Sequence, residues 1–571
     1  KREDVDFGTC AAGGVMRCPG FIHQKAEPFL SRIVEVNEGP DYSVNDLIQA
    51  YGLILEPPKQ EKPDTFKTKL GFSVGELLAC IANNEIGDAT IFKTVAMGKY
   101  CYDYPTGNWY LWNGNYWELD ATQSFLNLMG EVVEAYQQGA QKLAFDKIEA
   151  VKENLKDEAN RLADQEKLLV QRIYALQGKK RIANVIDLSK PHGQGVEGLG
   201  VKGDLWDQKL YVLPCQNGLV DLNTGDFFKG EQSDFISLVA PHNFKGLNEP
   251  CPTWEAFLEQ TIVDENLKTD FDTIDFLQKF LGMSLTGDVR EHLFGVFWGA
   301  GRNGKGTLFE TLKYVMGPLL HKFEGEMLLA TGRPRDSAGA RPDLVALRGK
   351  KLCWANEVEA GKRFNVATIK DLTGGDTVSC RQIYSHVINF KPTHTLCLST
   401  NDKPKIPVNP TDPLWDRLLM FPFRLRFTYE PAAPHERLKD PSLREKLEKE
   451  ASGILSWLVK GAIAWRRLER FTPPQNVKSA VKNYQEEEDI VGLFIKDCCV
   501  IGEGNQVQGG LLVQTYEQWC ENSGINPLSK KAFGINMGKR PEFVKKKGND
   551  GCLHYHGLGL LTQLKEPYQK R

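Results

Sequence analysis

Apolar positions between Gly139 and Gly178 recur at the spacing of one helix face, and no glycine or proline interrupts them. The recurring residues are Ile148, Val151, Leu155, Leu162, Leu169, Ile173 and Leu176. This pattern predicts one long amphipathic helix or a helical hairpin within residues 140–178. A scaffold element or an oligomer contact is the simplest interpretation of it.

On the N-terminal side of this segment, the pattern changes to short aromatic runs separated by glycine and asparagine. The runs are Tyr100–Tyr104, Trp109–Trp112 and Tyr116–Leu119. They predict a small antiparallel meander in which the aromatic side chains serve packing. Residues 57–64 are rich in proline and charge, as extended linkers are. We therefore expect a linker over residues 57–84 and a separate α+β domain over residues 85–250.

Residues 251–430 alternate apolar strand-like runs with helical patterns, which predicts an α/β domain on a mainly parallel sheet. Residues 431–485 are typical of a helical segment. In residues 486–571, three helix candidates precede two strand-like runs that flank Gly548–Gly551. The candidates lie around Val491–Cys499, Leu511–Asn522 and Ser529–Gly538. This is the order of elements in a winged helix.

The 571 residues are too many for one hydrophobic core, so we expect three or four domains rather than one small binding module. A net charge of -3 leaves nucleic-acid binding to local basic patches. No apolar run reaches a membrane span and no signal peptide is evident, so we expect a cytoplasmic protein. Thirteen cysteines lack a C-x-x-C pair, and the Cys10, Cys18 and His23 spacing fits no common zinc pattern.

Residues 293–310 place a glycine-rich loop between an apolar strand and a helix start. Such a loop points backbone N–H groups at phosphate oxygens, while its lysine reaches the β and γ phosphates. The predicted ATP-binding residues are Gly299, Gly301, Asn303, Gly304, Lys305, Gly306 and Thr307. The pattern G-x-x-x-x-G-K-[ST] fails only at Gly306, so Thr307 is the candidate for contact with Mg²⁺ or phosphate.

Hydrolysis also requires an acid near the metal and a group that orients the attacking water. A buried strand running from Lys351 ends at Glu357, and period two places Glu359 on the same face if the strand continues. We prefer Glu357 as the catalytic acid and as a tentative Mg²⁺ ligand. Asn401 follows a further strand and could hold the water or a γ-phosphate oxygen.

Arg417 stands sixteen residues beyond Asn401, ahead of another apolar run. A guanidinium suits the charge that develops on a transferring phosphoryl group. The alternative is a salt bridge from Arg417 to Asp412 or Asp416.

Four features carry a family resemblance: the glycine loop, the strand that ends at Glu357, the sequence KDLTGGD at Lys370–Asp376 and the strand before Asn401. In these features the chain resembles the superfamily 3 helicases of phage, plasmid and poxvirus primase-helicases. The resemblance covers roughly residues 85–560. It implies AAA+ type P-loop ATPase domains in a ring, commonly hexameric, that use ATP and Mg²⁺ to move along one DNA strand. It also implies that Lys305 is the phosphate-loop lysine, Glu357 the second-motif acid, Asn401 the sensor and Arg417 the arginine finger. Asn356 departs from the family, where many members carry a first acid.

Two further segments are predicted to contact DNA. Strand-like runs around residues 378–388 predict a hairpin. In similar helicases this hairpin projects into the central channel, which implies that Arg381, Tyr384 and His386 grip backbone phosphate and stack on sugar or base. In the last domain, Lys530, Lys531, Lys545, Lys546 and Lys547 dominate a local positive excess that suits duplex DNA at an origin. For the hairpin, the alternative is a plain surface hairpin. For the lysines of the last domain, the alternative is a solvated charged face or a subunit contact.

Residues 16–25 resemble the R-x-P-G-x-x-H-x-K text near the end of archaeo-eukaryotic primase-polymerase domains. We therefore interpret residues 1–56 as the remnant of such a domain, and the initial Lys1 suggests that an upstream part is missing.

The resulting prediction is an ATP-dependent DNA helicase, the C-terminal part of a primase-helicase, that acts in the replication of a phage, plasmid or other mobile element. The resemblance places it in a bacterial host cell or a virus-infected cell, where it would act on single-stranded and forked DNA as a homo-oligomeric ring. An origin-binding initiator in which ATP only controls assembly, and a P-loop nucleotide kinase, are the alternatives.

Overall fold

The computed structural model describes residues 66–191, 198–201, 203–330, 339–357, 361–381, 387–406, 412–548 and 551–561, with the backbone of two short strands upstream. The chain divides into two compact units, Lys1–Phe66 and Lys67–Arg571. In the first unit, β1 (Ile22–His23) pairs antiparallel with β2 (Phe29–Leu30). The other residues of the predicted primase-polymerase remnant, including Cys10 and Cys18, lie outside the described residues.

The second unit begins with helices and an aromatic meander. Its elements are α1 (Val74–Ala82), α2 (Asn84–Ala96), β3 (Tyr100–Asp103), β4 (Asn108–Trp112), β5 (Trp117–Leu119), α3 (Leu128–Lys152), α4 (Lys156–Ala175), α5 (Lys179–Ser189), β6 (Gly200–Val201), β7 (Val212–Cys215), β8 (Gly218–Asp221) and β9 (Phe227–Phe228). Strands β5, β4, β3 and β6 form one sheet, and β7, β8 and β9 form another. Tyr100, Trp109 and Trp117 are buried in this region, as the meander prediction expected.

The long helical pattern forms a hairpin rather than one helix. Helices α3 and α4 are joined by Glu153–Leu155, and Asn154 takes a left-handed φ of 61° in the turn. Asparagine tolerates this conformation better than most residues, which allows a sharp turn without glycine. Lys147 on α3 forms an ion pair with Glu166 on α4.

The predicted linker over residues 57–84 is too long, because α1 occupies Val74–Ala82. Ser73 caps this helix: it accepts a hydrogen bond from the Glu76 N–H, and the Glu76 carboxylate accepts one from the Ser73 N–H. This reciprocal capping box satisfies two backbone donors at the helix start. Leu77 on α1 is fully buried, so the segment is part of the packed structure.

A five-stranded parallel sheet dominates the middle of the chain. Its elements, in chain order, are α6 (Pro252–Thr261), α7 (Phe271–Thr286), β10 (Phe294–Trp298), α8 (Lys305–Met316), β11 (Leu320–Glu324), α9 (Pro342–Val345), β12 (Leu352–Asn356), α10 (Val366–Thr373), β13 (Val378–Cys380), β14 (Ile388–Phe390), β15 (Thr395–Thr400), α11 (Leu414–Arg417) and β16 (Leu418–Pro422). The strand order is β11-β12-β15-β10-β16, and each neighbouring pair is parallel.

Apolar clusters cover both faces of this sheet, as expected for buried parallel strands. On one face, the Phe297 ring lies edge-on to Phe309 of α8, which stacks on Trp354 of β12 at 4.8 Å between ring centroids. On the other face, Phe294 packs against Phe364. This two-sided burial fixes the carboxyl ends of the strands relative to one another.

Helices and a small α/β region complete the chain. The elements are β17 (Arg426–Thr428), β18 (Glu436–Leu438), α12 (Leu443–Lys449), α13 (Ala451–Arg466), α14 (Gln475–Glu488), α15 (Ile490–Cys498), β19 (Cys499–Gln508), α16 (Gly509–Asn522), α17 (Lys530–Gly538), β20 (Val544–Lys547) and β21 (Leu553–Leu560). The last sheet is antiparallel in the order β19-β21-β20. Its three helices and two strands match the predicted ones closely, and β19 is an additional strand.

The whole chain is therefore a mixed α/β protein with several distinct sheets and at least two large apolar clusters.

Candidate active site

The glycine-rich loop lies between β10 and α8, at the carboxyl end of the central parallel strands. Gly299 has a φ of 150° and Gly304 a φ of 96°, values that side chains rarely adopt. A Cβ on Gly299 would lie 2.2 Å from the Phe423 carbonyl oxygen, and one on Gly304 would lie 2.8 Å from Thr261 Cγ2. Both positions therefore require glycine, and they place the loop at the N-terminus of α8.

Lys305 is the first residue of α8 and is only 5% exposed. Its ammonium donates to the carbonyl oxygens of Gly299 and Ala300 and to Asn303 Oδ1, the latter two at 3.3 and 3.1 Å. It also donates to Asn401 Oδ1 at 3.1 Å. Burial lowers the pKa of Lys305 to about 8, and the nearby Glu357 carboxylate opposes part of that shift.

Asn401 connects the lysine to Glu357. Its Nδ2 donates to Glu357 Oε1 at 3.0 Å while its Oδ1 accepts from Lys305. Asn401 and Glu357 directly follow β15 and β12, and Lys305 begins α8 after the glycine loop that follows β10. These three strands are neighbours in the order β12-β15-β10. The structure therefore brings together a cation, an amide and a carboxylate that lie far apart in sequence.

Glu357 is exposed and takes a positive φ of 24° immediately after β12. Its N–H donates to the Ser399 carbonyl at 2.9 Å, which fixes its backbone beside β15. Strand β12 ends at Asn356, so it does not extend through Glu357 and Glu359 to place them on one face as predicted. Glu359 itself lies outside the described residues.

The remaining residues of the glycine loop differ in how far they are exposed to solvent. Asn303 is 3% exposed, and its Nδ2 donates to the Phe423 carbonyl at 3.3 Å. Gly301 and Gly306 are exposed, and a Cβ on either would meet no atom within 4 Å. Thr307 is the third residue of α8 and is half-buried. Open space therefore borders the loop on the side of Gly301 and Gly306.

Sequence reasoning missed the part that Phe423 plays in holding this loop. Its carbonyl contacts Asn303, and its own N–H donates to the Trp298 carbonyl at 2.7 Å. The contact uses backbone atoms, so no side-chain pattern could have revealed it.

Arg417 does not form the salt bridge that we considered as its alternative role. It donates to the Lys370 carbonyl at 3.0 Å and to Thr373 Oγ1 at 2.9 Å, at the C-terminal end of α10. Asp412 instead pairs with Lys370 Nζ at 2.8 Å. Among the described residues of a single chain, Arg417 thus contacts α10 and no carboxylate.

The predicted central hairpin is present as β13 and β14, which pair antiparallel with Val378 opposite Phe390. Arg381 is exposed and follows β13 directly; its carbonyl accepts from the Arg341 N–H at 2.9 Å. Tyr384 and His386 lie outside the described residues.

Five lysines of the last region are exposed: Lys530 and Lys531 at the start of α17, and Lys545, Lys546 and Lys547 on β20. We call these five residues the basic surface. Arg540, which lies between α17 and β20, is instead held in an ion pair. Its Nη2 contacts both Asp489 carboxylate oxygens at 2.6 Å.

In the part of the chain that the structure describes, no three or more His, Cys, Asp or Glu side chains are grouped so as to hold a metal ion. None of the helices in this part has the length and apolar character needed to cross a membrane.

The strand order, the glycine loop and the Lys305–Asn401–Glu357 set define a mixed α/β protein with a candidate active site at the carboxyl edge of a parallel sheet. Residues 89–263 match the family described as D5 N terminal like, and residues 297–417 match a family of unknown function, DUF5906.

The chain is 27% identical over 469 residues to the "Putative helicase L207/L206" of Acanthamoeba polyphaga mimivirus, covering 78% of this chain and 46% of that protein. It is 25% identical to the "Putative helicase 121R" of Invertebrate iridescent virus 3, covering 61% and 38% of the two chains. The "Uncoating factor OPG117" of Vaccinia virus is 26% identical, covering 36% and 26%. The chain thus spans less than half the length of these curated relatives.

These matches confirm the resemblance to a D5-like primase-helicase family that the motifs predicted. Among solved structures, the apo NrS-1 C-terminal region aligns with a TM-score of 0.42 at 11% identity, covering 81% of this chain and 96% of that one.

Proposed function

We propose that this chain is an ATP-dependent DNA helicase motor that acts in the replication of a phage, virus or other mobile element. The observation that carries the proposal is the hydrogen-bonded set Lys305–Asn401–Glu357 beside a glycine loop. Phosphoryl transfer to water needs a cation that binds the phosphates, a polar group near the γ-phosphate and a carboxylate that orients the water. The viral relatives that are named as helicases support the same class.

The strand order supports an AAA+ type ATPase core. Numbering the five strands from β10 along the chain, the sheet reads 2-3-4-1-5. This order places the loop strand next to the Asn401 strand, with the Glu357 strand one position further out. Nucleotide sites of open parallel sheets lie at this carboxyl edge, where such neighbouring strands supply polar groups.

The site residues fit a nucleoside triphosphate with Mg²⁺. Lys305 has four oxygen acceptors but three ammonium protons, and all four are loop or side-chain oxygens that phosphate oxygens can replace. The open side of the loop at Gly301 and Gly306 leaves room for phosphates to approach backbone N–H groups. Thr307 and Glu357 would hold Mg²⁺, which neutralises developing phosphate charge when it is bound.

In this proposal Glu357 orients the attacking water and accepts its proton, and Asn401 holds the water or a γ-phosphate oxygen. The existing Asn401–Glu357 hydrogen bond keeps the carboxylate beside the phosphate-binding lysine. Arg417 would complete the site of a neighbouring subunit in a homo-oligomeric ring.

The last region supplies DNA contacts in the proposal. Its order α15-β19-α16-α17-β20-β21, with an antiparallel sheet, is that of a winged helix. The basic surface then lies on the third helix and on the wing, where exposed lysines can neutralise duplex phosphates. Single-stranded and forked DNA would pass the β13–β14 hairpin, with Arg381, Tyr384 and His386 as contacts.

The test is strand displacement on forked DNA by the purified chain, with and without ATP and Mg²⁺. The unaltered chain should separate strands only with both. Glu357→Gln should retain ATP binding and lose turnover, because the amide keeps the shape and loses the basicity. Glu310→Gln, an exposed change on α8, is the matched control and should keep full activity.

Duplex footprinting without strand separation would favour an origin-binding initiator over a helicase. If Glu359→Gln is the dead variant and Glu357→Gln turns over, the carboxylate has been assigned wrongly.

A further inference from the structure

Lys403 lies two residues after Asn401 and contacts the strand that carries the glycine loop. Its ammonium is 4.3 Å from the centre of the Trp298 ring, and Trp298 is the last residue of β10. The same ammonium donates to both Glu487 carboxylate oxygens at 2.9 and 2.7 Å. The Lys403 side chain is only 15% exposed. One lysine thus joins the Asn401 loop, the end of β10 and the last turn of α14.

Helix α14 is fixed to the Asn401 loop by more than this ion pair. Glu488 accepts from the Ile406 N–H at 2.9 Å. Tyr484 is fully buried and donates to the Pro404 carbonyl. These contacts span residues 403–406, so movement of the C-terminal half of α14 must shift the segment that follows Asn401.

Asp489, the residue that follows α14, connects this helix to the region that carries the basic surface. Asp489 caps α15 by accepting from the Gly492 N–H at 3.0 Å, and it binds Arg540 through both carboxylate oxygens. Arg540 stands between α17 and β20, the two elements of the basic surface. Only Asp489 separates α14 from α15, so no flexible linker can absorb motion between them.

We infer that the three consecutive residues Glu487, Glu488 and Asp489, together with Lys403, position the Asn401 loop and couple it to DNA binding at the basic surface. We call Glu487, Glu488 and Asp489 the acidic bridge. This inference rests on the proposed function and adds its regulation. DNA bound at α17 and β20 biases the orientation of α14 through Arg540, and α14 sets the position of Asn401 beside Lys305. Lys403 touches no reacting atom here, so its role is that of a positioning residue.

Coupling between two binding sites is reciprocal, which gives a test that does not depend on catalysis. The affinity of the whole chain for a fluorescent non-hydrolysable ATP analogue is measured with and without a saturating short duplex. The affinity for the duplex is measured with and without the analogue. Each ligand should change the affinity for the other by the same factor, about 5-fold to 150-fold.

Substitutions in and beside the acidic bridge distinguish coupling through these residues from a general loss of ligand binding. Glu487→Gln should bring the coupling factor close to 1 while each single affinity stays within about threefold, because neither ligand touches Glu487. Lys403→Arg should retain coupling, since a guanidinium can pair with Glu487 and lie over Trp298. Arg540→Lys tests the other end and should also weaken coupling. The matched control is Glu486→Gln, whose carboxylate lies 3.7 Å from Lys482 on the same helix, and it should keep the original factor.

Two results would overturn the inference: an unaltered chain whose two ligands bind independently, or a folded Glu487→Gln variant with unchanged coupling. If Glu487→Gln fails to fold, the coupling factor of Arg540→Lys is used instead. An unchanged coupling factor in that variant would also overturn the inference. Failure of the proposed function is different in kind, because the unaltered chain would then bind no ATP analogue at all.

Discussion

The candidate active site and the basic surface both depend on lysine, but they use it in opposite ways. Lys305 is 5% exposed and is surrounded by four oxygen acceptors, whereas Lys545, Lys546 and Lys547 all lie exposed on β20. A buried, hydrogen-bonded cation acts as part of a network, so its removal affects every partner. Exposed cations act on DNA mainly through phosphate charge, and their effects add in small steps that salt screens.

The sharpest test of this comparison is Lys305→Ala, which should reduce both ATP binding and hydrolysis to background. The change removes the phosphate-binding cation and the ammonium that donates to Asn303 Oδ1 and Asn401 Oδ1. ATP binding and steady-state hydrolysis measure the loss. Lys313→Ala, an exposed change on the same helix, is the control and should behave like the unaltered chain. Hydrolysis by Lys305→Ala at the unaltered rate would remove the lysine from the mechanism.

The second prediction extends the active site to a neighbouring subunit. Arg417→Ala should bind ATP but hydrolyse it about 10³ to 10⁵ times more slowly, the usual contribution of an arginine finger. Arg426→Ala, which removes an exposed partner of Glu436, is the control.

The trans role of Arg417 is decided by mixing inactive proteins. Co-assembled Lys305→Ala and Arg417→Ala subunits contain some interfaces with both groups intact, so ATPase activity should return. Mixed assemblies confirmed by mass but without activity would contradict a trans role. A monomer that hydrolyses ATP at the full rate would do the same.

The third prediction concerns pH. The pKa of Lys305 is about 8 without nucleotide, below its ordinary value of 10.5, because burial disfavours the charged form. Phosphate oxygens favour the charged form and raise the pKa of Lys305, so ATP binding should take up a proton above pH 8. ATP affinity should be constant with respect to this group below pH 8 and fall by up to about tenfold per pH unit above it.

Calorimetry in buffers of different ionisation enthalpy would measure this proton uptake at pH 9 and show little at pH 6.5. An affinity that stays constant to pH 10 would mean that the Lys305 charge does not respond to bound phosphate.

The smallest expected effect is at the basic surface. Replacing Lys545, Lys546 and Lys547 by glutamine should weaken duplex binding without changing basal ATPase activity. Each lost phosphate contact should also reduce the log-log salt slope by about 0.9. Exposed Lys179 and Lys180 on α5, replaced in the same way, are the control. An unchanged slope would leave β20 as a solvated face.

Where sequence patterns were local, they predicted the fold closely. The glycine loop lies between strand and helix as expected, because glycine is needed at Gly299 and Gly304 for reasons that act within a few residues. The pattern over residues 140–178 did not distinguish one helix from a hairpin, because the turn at Asn154 has no glycine or proline nearby to mark it. The predicted linker ended too late, although the Ser73–Glu76 capping box is legible in the sequence.

By itself, the sequence determined which residue types could bind phosphate, orient water or attract DNA, because those properties belong to the side chains and their neighbours. Only the tertiary structure decided which of them meet. The strand order brings Asn401 between Lys305 and Glu357, and the α14–α15 junction joins Glu487 to Lys403 and Asp489 to Arg540. These contacts depend on the packing of distant elements against one another, which no spacing along the chain specifies.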